Sequence, residues 1–223
     1  MNVNEAILTR RSIRAFKPQS VPKDTLAEIV RVASWSPSGY NTQPWYITIA
    51  AGKTLDELRE ALVKQFEVDP HAEPVVSWYN FNEIHKERRR HIGYRVLESK
   101  GISREDKMGR VRWYQQMLRF FNAPAGLIIQ TESNQGSIAL YDLGMLSMSI
   151  MLAANSYGLG TCIIGLVAGY PETMRHTLSL PEDRLPLLGL AIGYPDLDAP
   201  VNLFHRDREP LEGFVQWQGF GGD

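Results

Sequence analysis

Near the start of the chain, Arg10-Arg11-Ser12-Ile13-Arg14 gathers three cations around one hydroxyl. Arg10 and Arg14 lie four apart, so on a helix or its last turn both guanidinium groups can face one direction. Ser12 adds a donor between them. Such a set suits a phosphate, because arginine offers planar bidentate hydrogen bonds and keeps its charge. Taken alone, the segment reads more simply as a solvated basic helix end, which the helix dipole favours.

A second cationic pair stands near the other end, in Arg206-Asp207-Arg208. In an extended segment residues two apart share a side, so Arg206 and Arg208 converge while Asp207 faces away. Surface pairing with Asp207 or Glu209 is the plainer reading. The run Lys86 to Arg90 could also grip a cofactor phosphate, although a solvated helical face explains it as well or better. Between Ser36 and Trp45 the chain reads Ser-Pro-Ser-Gly-Tyr-Asn-Thr-Gln-Pro-Trp. Its small residues, backbone donors and two carboxamides could bind a flat heteroaromatic with alternating donors and acceptors. The simpler alternative is a helix-to-strand connection with an Asx turn at Asn41.

These segments must be held by regular elements. Asn2 to Arg11 reads as a first helix. Pro22 suits a helix start, and Leu26, Ile29, Val30 and Ala33 match the spacing of a buried helical face. Trp45 to Ala51 alternates like a strand. Thr54 and Glu57 form a capping box for a helix running to about Phe66. Pro70 and Pro74 interrupt the next stretch, before a helix rich in aromatic and basic residues. Ser103 is expected to cap a further helix ending near Phe121. Ala125 to Thr131 and Leu187 to Ile192 are apolar strands. Ile138 to Tyr157, apolar nearly all round and stopped by Gly158, is a central or interfacial helix. The tail from Pro200 has little periodicity and is expected to drape over something, such as a second subunit. Tight βαβ spacing and a glycine fingerprint are both missing, which argues against a Rossmann dinucleotide site.

The bulk numbers narrow the function classes. The chain has 223 residues, 43% hydrophobic and 22% charged, enough for one large domain with a real core. Its formal net charge of −1 supplies no global field for nucleic acid or an anionic membrane. Cys162 is the single cysteine, so neither an intrachain disulfide nor a cysteine metal cluster is available. It reads as a small buried residue rather than a nucleophile. The histidines lack ligand spacing, and no metal is expected. Asp142, Gly144, Asn155 and three serines interrupt the most apolar stretch, which makes a poor membrane span. The N-terminus carries an acid where a signal peptide carries cations. A soluble cytoplasmic protein is expected.

Taken in order, Arg-Arg-Ser-x-Arg, Pro-Ser-x-x-Asn-x-Gln-Pro-Trp, Gly-Leu-Gly-Thr before a short apolar segment, and Arg-x-Arg near the end resemble the nitroreductase family of FMN-dependent enzymes. Ala123 to Ile128 and Ala191 to Pro195 also stand where that family would have them. The resemblance implies an α+β, three-layer fold over residues 1–223, with a central mixed sheet flanked by helices and a domain-swapped homodimer carrying FMN at the subunit interface. It implies that Arg10, Ser12, Arg206 and Arg208 hold the FMN phosphate, with Arg11 adding backbone and stem contacts. Arg14 would sit at the pyrimidine edge of the ring, where a fixed cation favours reduced flavin. Pro37, Ser38, Gly39 and Asn41 would cover the flavin from the partner subunit, with Gln43 nearby. Ile163, Ile164 and Gly165 would offer backbone amides near the reactive ring edge, although family members often carry Glu where this chain has Gly165. Gln116, or its neighbour Met117, would face the ring.

The segment from about 67 to 113 is the expected lid, with Trp78, Tyr79, Phe81, Tyr94 and Trp113 available to stack on an aromatic substrate or simply to pack. The implied reaction is reduction of nitroaromatic compounds by NADPH or NADH, with donor and acceptor taking turns in a ping-pong, two-electron cycle. Lys86 to Arg90 hints at the 2′-phosphate of NADPH. Quinone or enone reduction is the rival enzymatic reading. A flavin-binding dimer without turnover is the rival of another class.

Overall fold

A computed structural model describes residues 1–74, 76, 81–204 and 206–220. Among the described residues, four strands form one sheet in the order β1-β2-β4-β3: β1 (Tyr46–Ala51), β2 (Ala125–Glu132), β3 (Gly160–Ile164) and β4 (Arg184–Gly193). All three strand pairings are antiparallel. The expected mixed sheet is therefore corrected to an antiparallel one. Among the described residues, its parallel character is confined to an isolated bridge between Ser12 and Thr161. The α-helices among the described residues are α1 (Val3–Thr9), α2 (Lys23–Ala33), α3 (Gly52–Val68), α4 (Glu83–Glu98), α5 (Lys107–Leu118), α6 (Ser137–Ser156), α7 (Pro171–Leu178) and α8 (Pro200–Leu203).

Strand alternation divides the core into two slabs and makes the fold three-layered. Leu127, Ile129, Leu190 and Ile192 face α2 and α6, where Leu26, Ile29, Leu146 and Ile150 meet them. Ile128, Ala191, Cys162 and Ile164 face the opposite slab with Leu58, Leu62 and Trp113. Helix α6 has the length and mean hydropathy, 1.5, of a membrane span, but half of that window is buried inside the protein. Gly158, at φ +71°, ends the connection after it in a conformation that glycine adopts without a steric cost. Phe120 fills a hollow over β2 and β4. A β-carbon at Gly126 would come within 2.9 Å of its ring, and one at Gly189 within 3.0 Å.

Several helix starts differ from the sequence reading. Helix α3 begins at Gly52, whose φ of +53° turns the chain straight out of β1, so Thr54 lies inside the helix and no side chain caps it. Asp106, not Ser103, caps α5, accepting from Gly109 N at 2.7 Å. Helix α1 stops at Thr9, with Arg10 as its C-cap. β3 and α7 arise where the sequence pattern suggests no regular element.

Tyr170, just before α7, is buried, and its hydroxyl donates to the backbone oxygen of Asp69 at 2.8 Å. Burial, with the Asp69 charge adding to it, pushes the phenol from 10 up to about 12. A raised folded-state value means that folding favours the protonated phenol. This stabilisation is complete below about pH 10 and disappears as pH rises towards 12. Tyrosinate absorbance is expected to reveal one late-ionising phenol, and Tyr170→Phe should lessen the loss of stability across that window. An unchanged alkaline unfolding curve in the variant would contradict this.

Candidate anion and aromatic-ligand site

The Arg10–Arg14 segment is extended rather than helical. Ser12 bridges Thr161 of β3 in parallel, and the Ile13 N–H donates to the Thr161 oxygen at 2.9 Å. The four-residue helical spacing is thus replaced by a period of two, which puts Ser12 and Arg14 on one side, while Arg10 and Arg11 border a separate cleft with Ile13 and Asn202. Ile13 turns inward and packs on Gly160, where a β-carbon would lie 2.5 Å from Ile13 Cγ1. This close approach fixes how tightly the arginine segment lies against the sheet.

The C-terminal arginines come to the same place. Arg206 Nη2 donates to the Ser12 backbone oxygen at 3.0 Å, and Arg14 Nη1 donates to that oxygen at 3.3 Å. Arg206 also lies over the Phe204 ring, 4.5 Å from its centroid. Its guanidinium is pushed down to about 10 by burial first, then by the nearby charges of Arg14 and Arg11. Arg10 is also lowered, by burial and then by Arg208, and its buried Nε has no hydrogen-bond partner. Beneath them, burial raises the Cys162 thiol, with Arg14 opposing the shift most strongly.

The neighbouring acids belong to contacts with α4. Asp207 reaches Arg95 at 3.3 Å and His91 at 3.6 Å, while Glu209 meets Arg88 at 2.6 Å. A cleft of about 610 Å³ opens between α4 and Ser12, Arg14, Arg206 and Arg208. Within the basic run, Lys86 pairs with Glu83 on the exposed face of α4 and Arg88 lines this cleft.

A second cavity of about 650 Å³ is walled by Ile163, Gly165, Leu166, Met117, Leu188 and Arg89, among others. Ile163 points towards it, whereas the Ile164 side chain is buried in the core, leaving only its backbone for a ligand. Met117 lines the cavity and Gln116 is exposed on α5. Arg89 lies 6.0 Å from the Phe81 ring centroid. Trp113 is buried against Phe121, and Tyr94 stacks under Arg104. Trp78 and Tyr79 lie outside the described residues.

Pro37, Ser38, Gly39, Asn41 and Gln43 line neither cavity. They form a short loop against the first turns of α6, partly in the left-handed region: Tyr40 at φ 52°, Asn41 at 58° and Gln43 at 48°. Ser38 Oγ accepts from Gln43 N at 3.0 Å, and both carboxylate oxygens of Asp142 lie 3.3 Å from Gly39 N. Ser36 donates to Ser149 of α6 at 2.7 Å. Such backbone conformations persist where surrounding contacts over-determine them. Asp142, 1% exposed, registers in the sequence only as an interruption of an apolar helix. A buried carboxylate needs a partner, and that was the available signal.

Two arginine-bearing segments from opposite ends of the chain meet at the edge of an antiparallel sheet in an α+β protein. The chain belongs to the nitroreductase family, whose model matches residues 7–194. It is 33% identical to a nitroreductase, NfnB, of Mycolicibacterium smegmatis, over 86% of this chain and 82% of that one. With a 4-nitrobenzoate reductase of Pseudomonas putida it shares 32% identity, over 96% of this chain and 94% of the relative. A crystal structure of an FMN- and NADPH-dependent nitroreductase, NfnB, from Sphigopyxis sp. strain HMH superposes with a TM-score of 0.95 at 34% identity, covering 99% of this chain and 100% of that one.

Proposed function

We propose that this protein is an FMN-dependent oxidoreductase that reduces nitroaromatic compounds with NADPH or NADH. The observation that carries this reading is the mutual repulsion of Arg10, Arg206 and their neighbours. Arg10 and Arg206 are half-buried and are lowered by burial first and then by neighbouring arginines, and the buried Arg10 Nε has no partner. A phosphate monoester relieves that repulsion and offers acceptors to the guanidinium donors. When bound, FMN supplies two-electron transfer, accepting from the nicotinamide donor and giving to the nitro compound in turn.

The chain's own residues bind, orient and enclose. Arg10, Ser12, Arg206 and Arg208 hold the phosphate, and Arg11 adds backbone and stem contacts. Arg14 supplies fixed positive charge at the pyrimidine edge, which favours the reduced state. The backbone of Ile163, Ile164 and Gly165 borders the ring, with Met117 facing it in preference to Gln116. The absence of a side chain at Gly165 leaves the adjoining apolar cavity open to a small aromatic acceptor. The segment 67–113 serves as a lid, because α4 walls the phosphate cleft and contributes Arg89 to the acceptor cavity.

The functional unit in this proposal is a soluble cytoplasmic homodimer. Leu8, Trp35, Ile138 and Tyr141 leave apolar surface exposed around α6, and Phe214, Trp217 and Phe220 do so along the tail. A second copy covers that surface and brings Pro37, Ser38, Gly39, Asn41 and Gln43 over its partner's flavin. Purified protein is expected to be yellow, to bleach with NADPH under anaerobic conditions, and to recover its colour on adding 4-nitrobenzoate. Colourless protein that cannot be reconstituted with FMN overturns the proposal. Recovery with quinones or enones but not with nitro compounds overturns the choice of acceptor.

A further inference from the structure

Asn202 lies four residues before Arg206, in α8, and is only 2% exposed. Its Oδ1 accepts from the Arg14 backbone N–H at 2.7 Å. Its Nδ2 donates to the Ala15 oxygen at 2.9 Å and to the Asp196 oxygen at 2.7 Å. The Asn202 backbone oxygen in turn accepts from Arg11 Nη1 at 3.5 Å. One carboxamide therefore links the N-terminal arginine segment, the turn after β4 and the helix that launches Arg206 and Arg208.

The chemistry explains why a carboxamide stands here. A single group must accept from one backbone amide and donate to two carbonyls, and among neutral side chains only Asn and Gln combine an acceptor with two donors. Aspartate would set a carboxylate against the Ala15 and Asp196 oxygens. Leucine would leave the Arg14 amide and the Asp196 oxygen without this partner, and the Ala15 oxygen with only the Asp196 N–H at 3.1 Å. The network also spans nearly the whole chain, so it fixes a distance that no local element controls. Arg14 and Arg206 both donate to the Ser12 oxygen from either side of this tie.

We propose that Asn202 is a positioning residue for the anion pocket, setting the Arg10–Arg14 segment against Arg206 and Arg208 and thereby the preference for a phosphorylated flavin. This rests on the phosphate reading above. It differs from a merely structural role in predicting a selective loss. Moving the two segments apart weakens the phosphate grip, which draws on both of them, more than the ring contacts, since the backbone of Ile163, Ile164 and Gly165 has no bond to Asn202.

The test strips flavin from the full-length protein and measures dissociation constants for FMN and for riboflavin, which lacks the phosphate, by fluorescence quenching. Asn202→Leu is expected to cut the FMN-over-riboflavin preference at least tenfold, mostly through weaker FMN binding. Asn202→Ser leaves room for water to restore some of the lost hydrogen bonds, so it serves if the leucine variant does not fold, and an intermediate loss is expected. If wild-type protein prefers FMN while the foldable variants keep the full preference, the role of Asn202 is refuted and the phosphate reading stands. If wild-type protein binds riboflavin as tightly as FMN, the phosphate reading fails and this inference falls with it.

Discussion

Alanine at both Arg10 and Arg208 is expected to yield a folded but colourless protein whose FMN affinity is lower by two to four orders of magnitude. Hydrogen bonds to charged groups contribute about 1.5–3 kcal/mol each. Losing two such arginines therefore costs about 3–6 kcal/mol of phosphate binding, and each 1.4 kcal/mol is tenfold in affinity. Stability moves the other way. Arg10 is destabilised in the fold by burial and by Arg208, so removing both relieves a repulsion that the flavin-free protein otherwise carries. The flavin-free variant should melt no lower than flavin-free wild type, while the gain in melting temperature on adding FMN disappears. Arg206, lowered to about 10, remains charged at neutral pH, so the loss is not a protonation effect. Wild-type flavin occupancy in the double variant would remove the foundation of the proposed site.

Cations at both chain ends are visible as residue types, and their order along the chain carries the family resemblance. Their geometry is not visible. The spacing of Arg10 and Arg14 suits a helical period, yet α1 stops at Thr9 because the next residues find backbone partners on β3. That choice depends on Gly160 accommodating Ile13, a contact almost 150 residues away in sequence. Asn202 has no local signature, since its partners Arg14 and Ala15 are distant and its surroundings have no periodicity. By contrast, β2 and α6 are legible because apolar runs of those lengths have few other ways to be buried. Their layer assignment comes from strand alternation once the pairing is known. Short β3 and α7 escape notice because five and eight residues carry too little periodic signal to stand out from a connecting loop.

The second large effect concerns assembly. Ile138 and Tyr141 sit three apart on α6, so they share an exposed face, and Ile138 also packs beside Gly39 at the base of the strained loop. In a twofold dimer each substitution enters the interface twice. Aspartate at both positions thus buries four carboxylates without arranged partners, a cost that a standard interface of about 1,200–2,000 Å² does not readily absorb. The Ile138→Asp/Tyr141→Asp protein is expected to run as a 25.3 kDa monomer and to lose most of its flavin, although Arg10, Ser12, Arg206 and Arg208 are intact. Coupled loss of dimer and cofactor distinguishes a site completed by the partner's Pro37–Gln43 loop from one contained in a single protomer. A monomeric variant that still binds FMN at wild-type affinity would show that the loop contributes nothing to the partner. A variant that remains dimeric would put the interface on another face.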